Sequence, residues 1–141
     1  MKEVYPNLFV GNKSDCYKMD YVVHACKTCH KRELGYKTVA APKNEEYLST
    51  VRDNQLYLNL IDADYKYIPK QILRQSISYI EKNINNKVLV HCDQGVSRSP
   101  SIAFMYMMSI GFPFDMEYFK FIYPDFNPNN GMLKHLKEYN A

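Results

Sequence analysis

The nine residues His91-Cys92-Asp93-Gln94-Gly95-Val96-Ser97-Arg98-Ser99 decide how this chain is read. The segment before them, Lys87 to His91, carries Val88, Leu89 and Val90, the apolar run of a buried central strand. After them, Ser99 to Ile110 is an apolar helix with Pro100 in its first turn, ended by Gly111. A loop this tight between a strand end and a helix N-terminus turns successive backbone N–H groups inward as an anion nest. Gly95 supplies the conformations a side chain would forbid. Those donors match phosphate oxygens.

The same field stabilises a thiolate at Cys92, which is the nucleophilic form of the residue. Arg98 is forked and permanently charged, so it can hold two phosphate oxygens and follow them as the phosphoryl group becomes planar. Ser99 can donate its hydroxyl to the sulfur when Cys92 has to leave a phospho-enzyme, and His91 is placed to orient the loop from behind. Taken singly, a strand-end cysteine or a helix-start arginine would be ordinary. Together with Gly95 and Ser99 in a strand-loop-helix setting they point to phosphate chemistry.

Working outward, Val4 to Val10 reads as a strand closed by Gly11 and Asn12, and Tyr21 to Ala25 as a second strand. Cys26 to Pro42 is polar, and the middle of the chain reads as loop-rich until the apolar run Leu56 to Ile61. Ile68, Ile72, Leu73, Ile77, Ile80 and Ile84 form the stripe of an amphipathic helix that starts near Pro69. Two further helices, Phe114 to Ile122 and Gly131 to Tyr139, flank the turn-rich stretch Pro124 to Asn130. Strands alternating with helices argue for α/β layers.

Composition narrows the function. The chain of 141 residues is the size of one domain, with 46% hydrophobic and 23% charged residues, a globular balance. A net charge of +3 is mild for a dedicated nucleic-acid binder and suits a small anionic substrate. No signal-peptide core can be drawn through Met1 to Asp20, and Ser101 to Phe114 is too short and interrupted for a membrane span. Four cysteines, Cys16, Cys26, Cys29 and Cys92, are too sparse for a secreted disulfide scaffold. A reducing, cytoplasmic setting is the expectation.

His91 to Ser99 resembles the signature loop of the cysteine-dependent protein tyrosine phosphatases, and its Ser97-Arg98-Ser99 ending resembles the dual-specificity branch. The likeness runs along nearly the whole chain. Val4 to Asn12, "VYPNLFVGN", is similar to the branch's opening strand and turn, and Tyr21 to Ala25 to its next strand. Tyr106, Met107 and Met108 stand where the branch carries Ala-Tyr-Leu-Met, with Met105 and Met107 as departures. Pro128, Asn129, Gly131, Leu133 and Leu136 resemble its closing Pro-Asn-x-Gly helix. Tyr123 departs from the family where an Arg often precedes Pro, at a surface contact.

The resemblance implies one catalytic domain over residues 1–141. Its fold would be a central twisted, mainly parallel sheet of about four to five strands flanked by helices. The implied activity is hydrolysis of phosphotyrosine, and of phosphoserine and phosphothreonine, in protein substrates. Cys92 would be the nucleophile, assisted by Arg98 and Ser99, with Asp93, Gln94, Gly95, Val96, Ser97 and Arg98 holding the phosphate. The chemistry needs no metal and no cofactor, and the expected protein is a monomer that binds neither membrane nor nucleic acid. The alternatives are a phospho-binding pseudo-phosphatase and a phosphatase of a non-protein substrate such as an RNA 5′-triphosphate. Asp93 inside the loop would repel the extra phosphates of a phosphoinositide.

The family's proton donor is an Asp on a loop before the nucleophile, worth typically ~10²–10⁴ in rate. Asp62 and Asp64 are both available. Counting from Tyr57, "YLNLIDAD" is similar to the family's Tyr-x-x-Ile-x-x-x-Asp run and ends on Asp64, which makes Asp64 the preferred acid over Asp62. Either could instead cap the following helix. Elsewhere, His24, Cys26, Cys29 and His30 carry one C-x-x-C pair, a weak match to a zinc site that a variant loop explains as well. Lys27, Lys31 and Arg32 beside them read as a solvated face or as the rim of an anionic pocket.

Overall fold

A computed structural model describes residues 1–140 of the chain. Its centre is a six-stranded sheet built from β1 (Lys2–Tyr5), β2 (Leu8–Gly11), β3 (Tyr21–His24), β4 (Ser49–Arg52), β5 (Gln55–Leu58) and β6 (Val88–His91). The strand order is β1-β2-β6-β3-β5-β4. The four inner strands run parallel and the two edges antiparallel. The sheet is therefore mainly parallel, as expected, but wider than four to five strands. Both extra strands come from hairpins that hydropathy alone merges or misses. Val4 to Val10 is not one strand, because Pro6-Asn7 turns the chain, with Asn7 at φ 69°. In the middle segment, Asp53 and Asn54 both have positive φ, 51° and 67°, the pattern of a type I′ turn that joins β4 to β5.

Among the described residues, five helices cover the sheet: α1 (Lys27–Leu34), α2 (Lys70–Asn83), α3 (Arg98–Ser109), α4 (Met116–Ile122) and α5 (Asn130–Asn140). α1 corrects the loop reading of Cys26 to Pro42. Its sequence, KTCHKREL, buries only Cys29 and His30, so there is no aliphatic stripe to betray it. α2 follows its predicted stripe, burying Ile72, Leu73, Ile77 and Ile80, each worth ~1.5–3 kcal/mol on full burial. Pro69 is its extended N-cap rather than part of its first turn. α3 buries Ile102 to Met107 without a break, because it packs on β2 and β6 and between α2 and α5.

The side chains of the parallel strands alternate. Leu8, Val10, Val23, Leu56, Leu58, Val88 and Val90 join the main core with α2 and α3. Tyr57 faces the other way, into a smaller cluster with Cys16, Cys26 and Cys29 beneath α1. The carboxyl ends of β3, β5 and β6 meet where the loops into the helices begin, and those loops hold the site.

Candidate active site

β6 stops at His91 and α3 starts at Arg98, so Cys92–Ser97 must turn from strand to helix within six residues. Gly95 makes this possible at φ 70°, and its N–H points back to the Cys92 sulfur at 3.3 Å. A Cβ there would sit 2.9 Å from the Gly11 carbonyl oxygen and 3.1 Å from the Tyr123 hydroxyl, so no other residue fits without movement. Cys92 is 2% exposed, with Ser99 Oγ 3.2 Å from its sulfur. Ser99 Oγ also lies 3.1 Å from the Gly11 carbonyl, which ties the loop to the end of β2.

The loop is held from both flanks. The Lys13 N–H donates to the Asp93 carbonyl at 3.2 Å and the Asn127 N–H to the Val96 carbonyl at 2.8 Å. The Asn129 N–H donates to Ser97 Oγ at 3.0 Å. Tyr123 is buried and donates its hydroxyl to the Gly95 carbonyl at 2.7 Å. Burial, with help from the charges of Asp125, Cys92 and Asp15, pushes the Tyr123 phenol up to about 12, so it remains a donor throughout the neutral range. This corrects the sequence reading of Tyr123 as a surface departure: it is an internal strut under the phosphate loop. Its spacing of four from the buried Phe119 is the one local hint of that burial.

Arg98 is 7% exposed. Its Nη1 donates to the Leu60 carbonyl at 3.1 Å and its Nη2 to the Asp93 carboxylate at 3.0 Å. A cavity of about 340 Å³ opens above the loop, lined by Cys92, Asp93, Gln94, Val96, Ser97 and Arg98 and walled by Asp62 and the Asn127–Asn129 turn. Of the loop residues expected to hold a ligand, Gly95 is buried beneath it and contributes backbone geometry.

The two candidate acids are separated. Asp62 lines the cavity and its carboxylate accepts a hydrogen bond from the Asn129 side-chain amide. Asp64, exposed like Asp62, precedes a single 3-10 turn (Tyr65–Tyr67), makes no capping hydrogen bond and is not part of the cavity wall. Neither residue caps α2. The segment is clamped by α5, since a Cβ on Gly131 would fall 2.8 Å from the Tyr65 nitrogen and 2.9 Å from the Asp64 carbonyl carbon. Leu60, Asn129 and Tyr123 are the supporting residues that sequence reasoning did not assign. Their roles use a backbone carbonyl and long-range hydrogen bonds that leave no local pattern.

His91 is fully buried behind the loop, with Nδ1 3.4 Å from the Cys92 carbonyl oxygen. The group His24, Cys26, Cys29 and His30 does not stay together. His30 turns away to the Tyr36 hydroxyl at 3.0 Å and the Glu46 carbonyl at 2.9 Å. Arg32 does not rim the phosphate cavity but reaches the sulfurs of Cys16 and Cys29, 3.3 Å from each.

Comparison with known proteins agrees with this geometry. The family model for the dual specificity phosphatase catalytic domain matches residues 7–141. A probable dual specificity protein phosphatase of Dictyostelium discoideum is 33% identical over 99% of this chain and 63% of its own length. A second from the same organism is 28% identical over 93% of this chain and 60% of its own length. The chain thus spans about three fifths of the length of these relatives. Among solved structures, DUSP15 superposes with a TM-score of 0.71 at 24% identity, covering 99% of this chain and 86% of that one. The human tyrosine phosphatase-like serine/threonine/tyrosine-interacting protein gives 0.72 at 21%, covering 99% and 94%. A buried cysteine and a buried arginine on a glycine-turned loop at the carboxyl end of a parallel strand, with the family model matching residues 7–141, make this chain a member of the dual specificity phosphatase catalytic-domain family.

Proposed function

We propose that this domain hydrolyses phosphomonoesters on phosphotyrosine, phosphoserine or phosphothreonine side chains of proteins through a thiophosphate on Cys92. The observation that carries this reading is the convergence of the Cys92 sulfur, the Gly95 turn and the Arg98 guanidinium on one cavity open to solvent. Arg98 keeps its Leu60 carbonyl contact as a pivot while its second arm moves from the Asp93 carboxylate to the phosphate. The sulfur attacks phosphorus, the P–O bond to the leaving group breaks, and a carboxylic acid gives that oxygen its proton. Asp62 lines the cavity and Asp64 does not, so this reading gives the proton transfer to Asp62, with Asp64 as the alternative that the family spacing favours.

In the second step water attacks phosphorus, its proton passes to the same carboxylate, and the P–S bond breaks. The Ser99 hydroxyl then turns from the Gly11 carbonyl to the departing sulfur, 3.2 Å away. Purified protein should therefore hydrolyse para-nitrophenyl phosphate and phosphopeptides without added metal, and Cys92→Ser should abolish turnover. Asp62→Asn should lose far more rate than Asp64→Asn; the reverse order would move the acid to Asp64. Wild type that captures a phosphopeptide or vanadate without turnover would replace this reading with a phosphate-binding module.

A further inference from the structure

Behind the phosphate loop, on the opposite face of the sheet, four side chains from four segments converge. His24 ends β3 and His91 ends β6, and these parallel neighbours pair His24 directly with His91, so both imidazoles leave the same face. Cys16 follows the 3-10 turn Lys13–Asp15, and Cys29 comes from the buried side of α1. Both imidazoles are fully buried, while Cys16 and Cys29 are 6% and 4% exposed. Their donor atoms all lie within 4.8 Å of one another.

The separations are those of a coordination shell. Cys16 Sγ and Cys29 Sγ are 3.8 Å apart, Cys16 Sγ and His24 Nδ1 3.6 Å, and Cys29 Sγ and His91 Nε2 3.9 Å. A tetrahedral zinc ion with bonds of ~2.3 Å to sulfur and ~2.0–2.1 Å to nitrogen sets S···S near ~3.8 Å, S···N near ~3.5 Å and N···N near ~3.3 Å. These three separations agree to within ~0.4 Å, the other two sulfur–nitrogen pairs lie within 4.8 Å, and the two nitrogens, now 2.7 Å apart, need to part by only about half an ångström.

The outer hydrogen bonds of the two imidazoles sharpen the case. His24 Nε2 is 2.7 Å from the Gln55 side-chain oxygen, and His91 Nδ1 faces the Cys92 carbonyl, which can only accept. These acceptors suit a proton on each ring's outer nitrogen, the arrangement that fixes metal-ligating histidines. With both protons on the outer nitrogens, the inner nitrogens, His24 Nδ1 and His91 Nε2, face each other as lone pairs at 2.7 Å. Two acceptors at that distance repel unless a proton or a cation sits between them. Arg32 Nη2, 3.3 Å from each sulfur, is the donor that a pair of thiolates would attract. A cavity of about 350 Å³ lined by Cys16, Cys29, Arg32 and Tyr17 reaches the cluster from solvent.

We propose that Cys16, His24, Cys29 and His91 form a structural zinc site. Two sulfurs and two neutral imidazoles suit zinc, and filling all four positions with protein leaves no place for a substrate. On binding, two thiol protons leave for solvent as two Zn–S bonds form, with no change of oxidation state. The ion ties β3, β6, α1 and the N-terminal turn together and braces His91 behind Cys92. The set differs from the sequence's C-x-x-C pair in taking Cys29 but not Cys26. It is independent of the phosphatase reading.

The test is metal content by mass spectrometry and thermal unfolding, on wild type, Cys16→Ser, Cys29→Ser and Cys26→Ser. The expected result is about one zinc per chain in wild type and Cys26→Ser, its loss in the other two, and a lower melting temperature after chelation that added zinc restores. Because either ligand variant could fail to fold, cobalt is also loaded into wild type, where thiolate-to-metal absorption with tetrahedral ligand-field bands is expected. Folded, zinc-free wild type whose melting temperature ignores zinc would overturn the proposal. So would a Cys16–Cys29 disulfide in the folded protein, or zinc that survives Cys16→Ser but not Cys26→Ser.

Discussion

The Arg98 guanidinium is already neutralised by its own loop, donating at 3.0 Å to the carboxylate of Asp93. Asp93 occupies the arm that a phosphate would need, and its side chain is 41% exposed, so the contact is partly screened. Asp93→Ala should free that arm. A partly exposed ion pair is worth about 0.2–1 kcal/mol, so vanadate or phosphate inhibition should tighten by up to about fivefold. A weaker inhibition constant would mean that Asp93 orients Arg98 rather than competing for it.

Ser99 should act on the second chemical step more than on the first. In Ser99→Ala the departing sulfur loses a hydroxyl donor, and a hydrogen bond to a charged group is worth about 1.5–3 kcal/mol, or about 10- to 150-fold in rate. Rapid mixing should then show a burst of product followed by slow turnover as the thiophosphate accumulates. Equal loss of burst and steady-state rates would assign Ser99 to loop structure alone.

Tyr123→Phe removes the donor to the Gly95 carbonyl and leaves that buried oxygen unpaired. The cost should be about 1–3 kcal/mol in denaturant unfolding, with kcat falling because the turn at Gly95 loses its strut. Unchanged stability with full activity would show that water replaces the phenol.

Asp15 supplies a pH dependence. Burial alone would raise its carboxyl, but the Lys18 ammonium and the Asn12 amide outweigh it and hold Asp15 below the usual carboxylate range. A depressed folded value stabilises the protein above the unfolded Asp value of about 3.9, and that contribution is lost as pH falls through the folded value. Asp15→Asn should therefore cost stability near neutral pH, and the gap from wild type should close on acidification below pH of about 4. A gap that is constant with pH would point to packing around Gly11, where a Cβ would run into this carboxyl, rather than to charge.

Much of the site was legible because it is contiguous. Cys92, Gly95, Arg98 and Ser99 lie within eight residues, and a strand-loop-helix transition leaves its marks in composition over that length. α2 was legible for the same reason, since its buried face repeats every three to four residues. α1 was not, because it is amphipathic only through Cys29 and His30, which no hydropathy pattern counts as a stripe. Asp62 and Asp64 differ by two positions, and which one faces the cavity depends on the close packing of Ala63 to Tyr65 against Gly131.

The sequence by itself determined the phosphate loop, the strand and helix that hold it, and the family, because those depend on residues near one another in the chain. The tertiary structure alone decided which of the two aspartates lines the cavity, the Tyr123 strut and the convergence of Cys16, His24, Cys29 and His91. That convergence follows from pairing β3 beside β6 with His24 opposite His91. A slip of one residue in that register would turn one imidazole to the other face, and no local pattern in either strand records the partner it will meet.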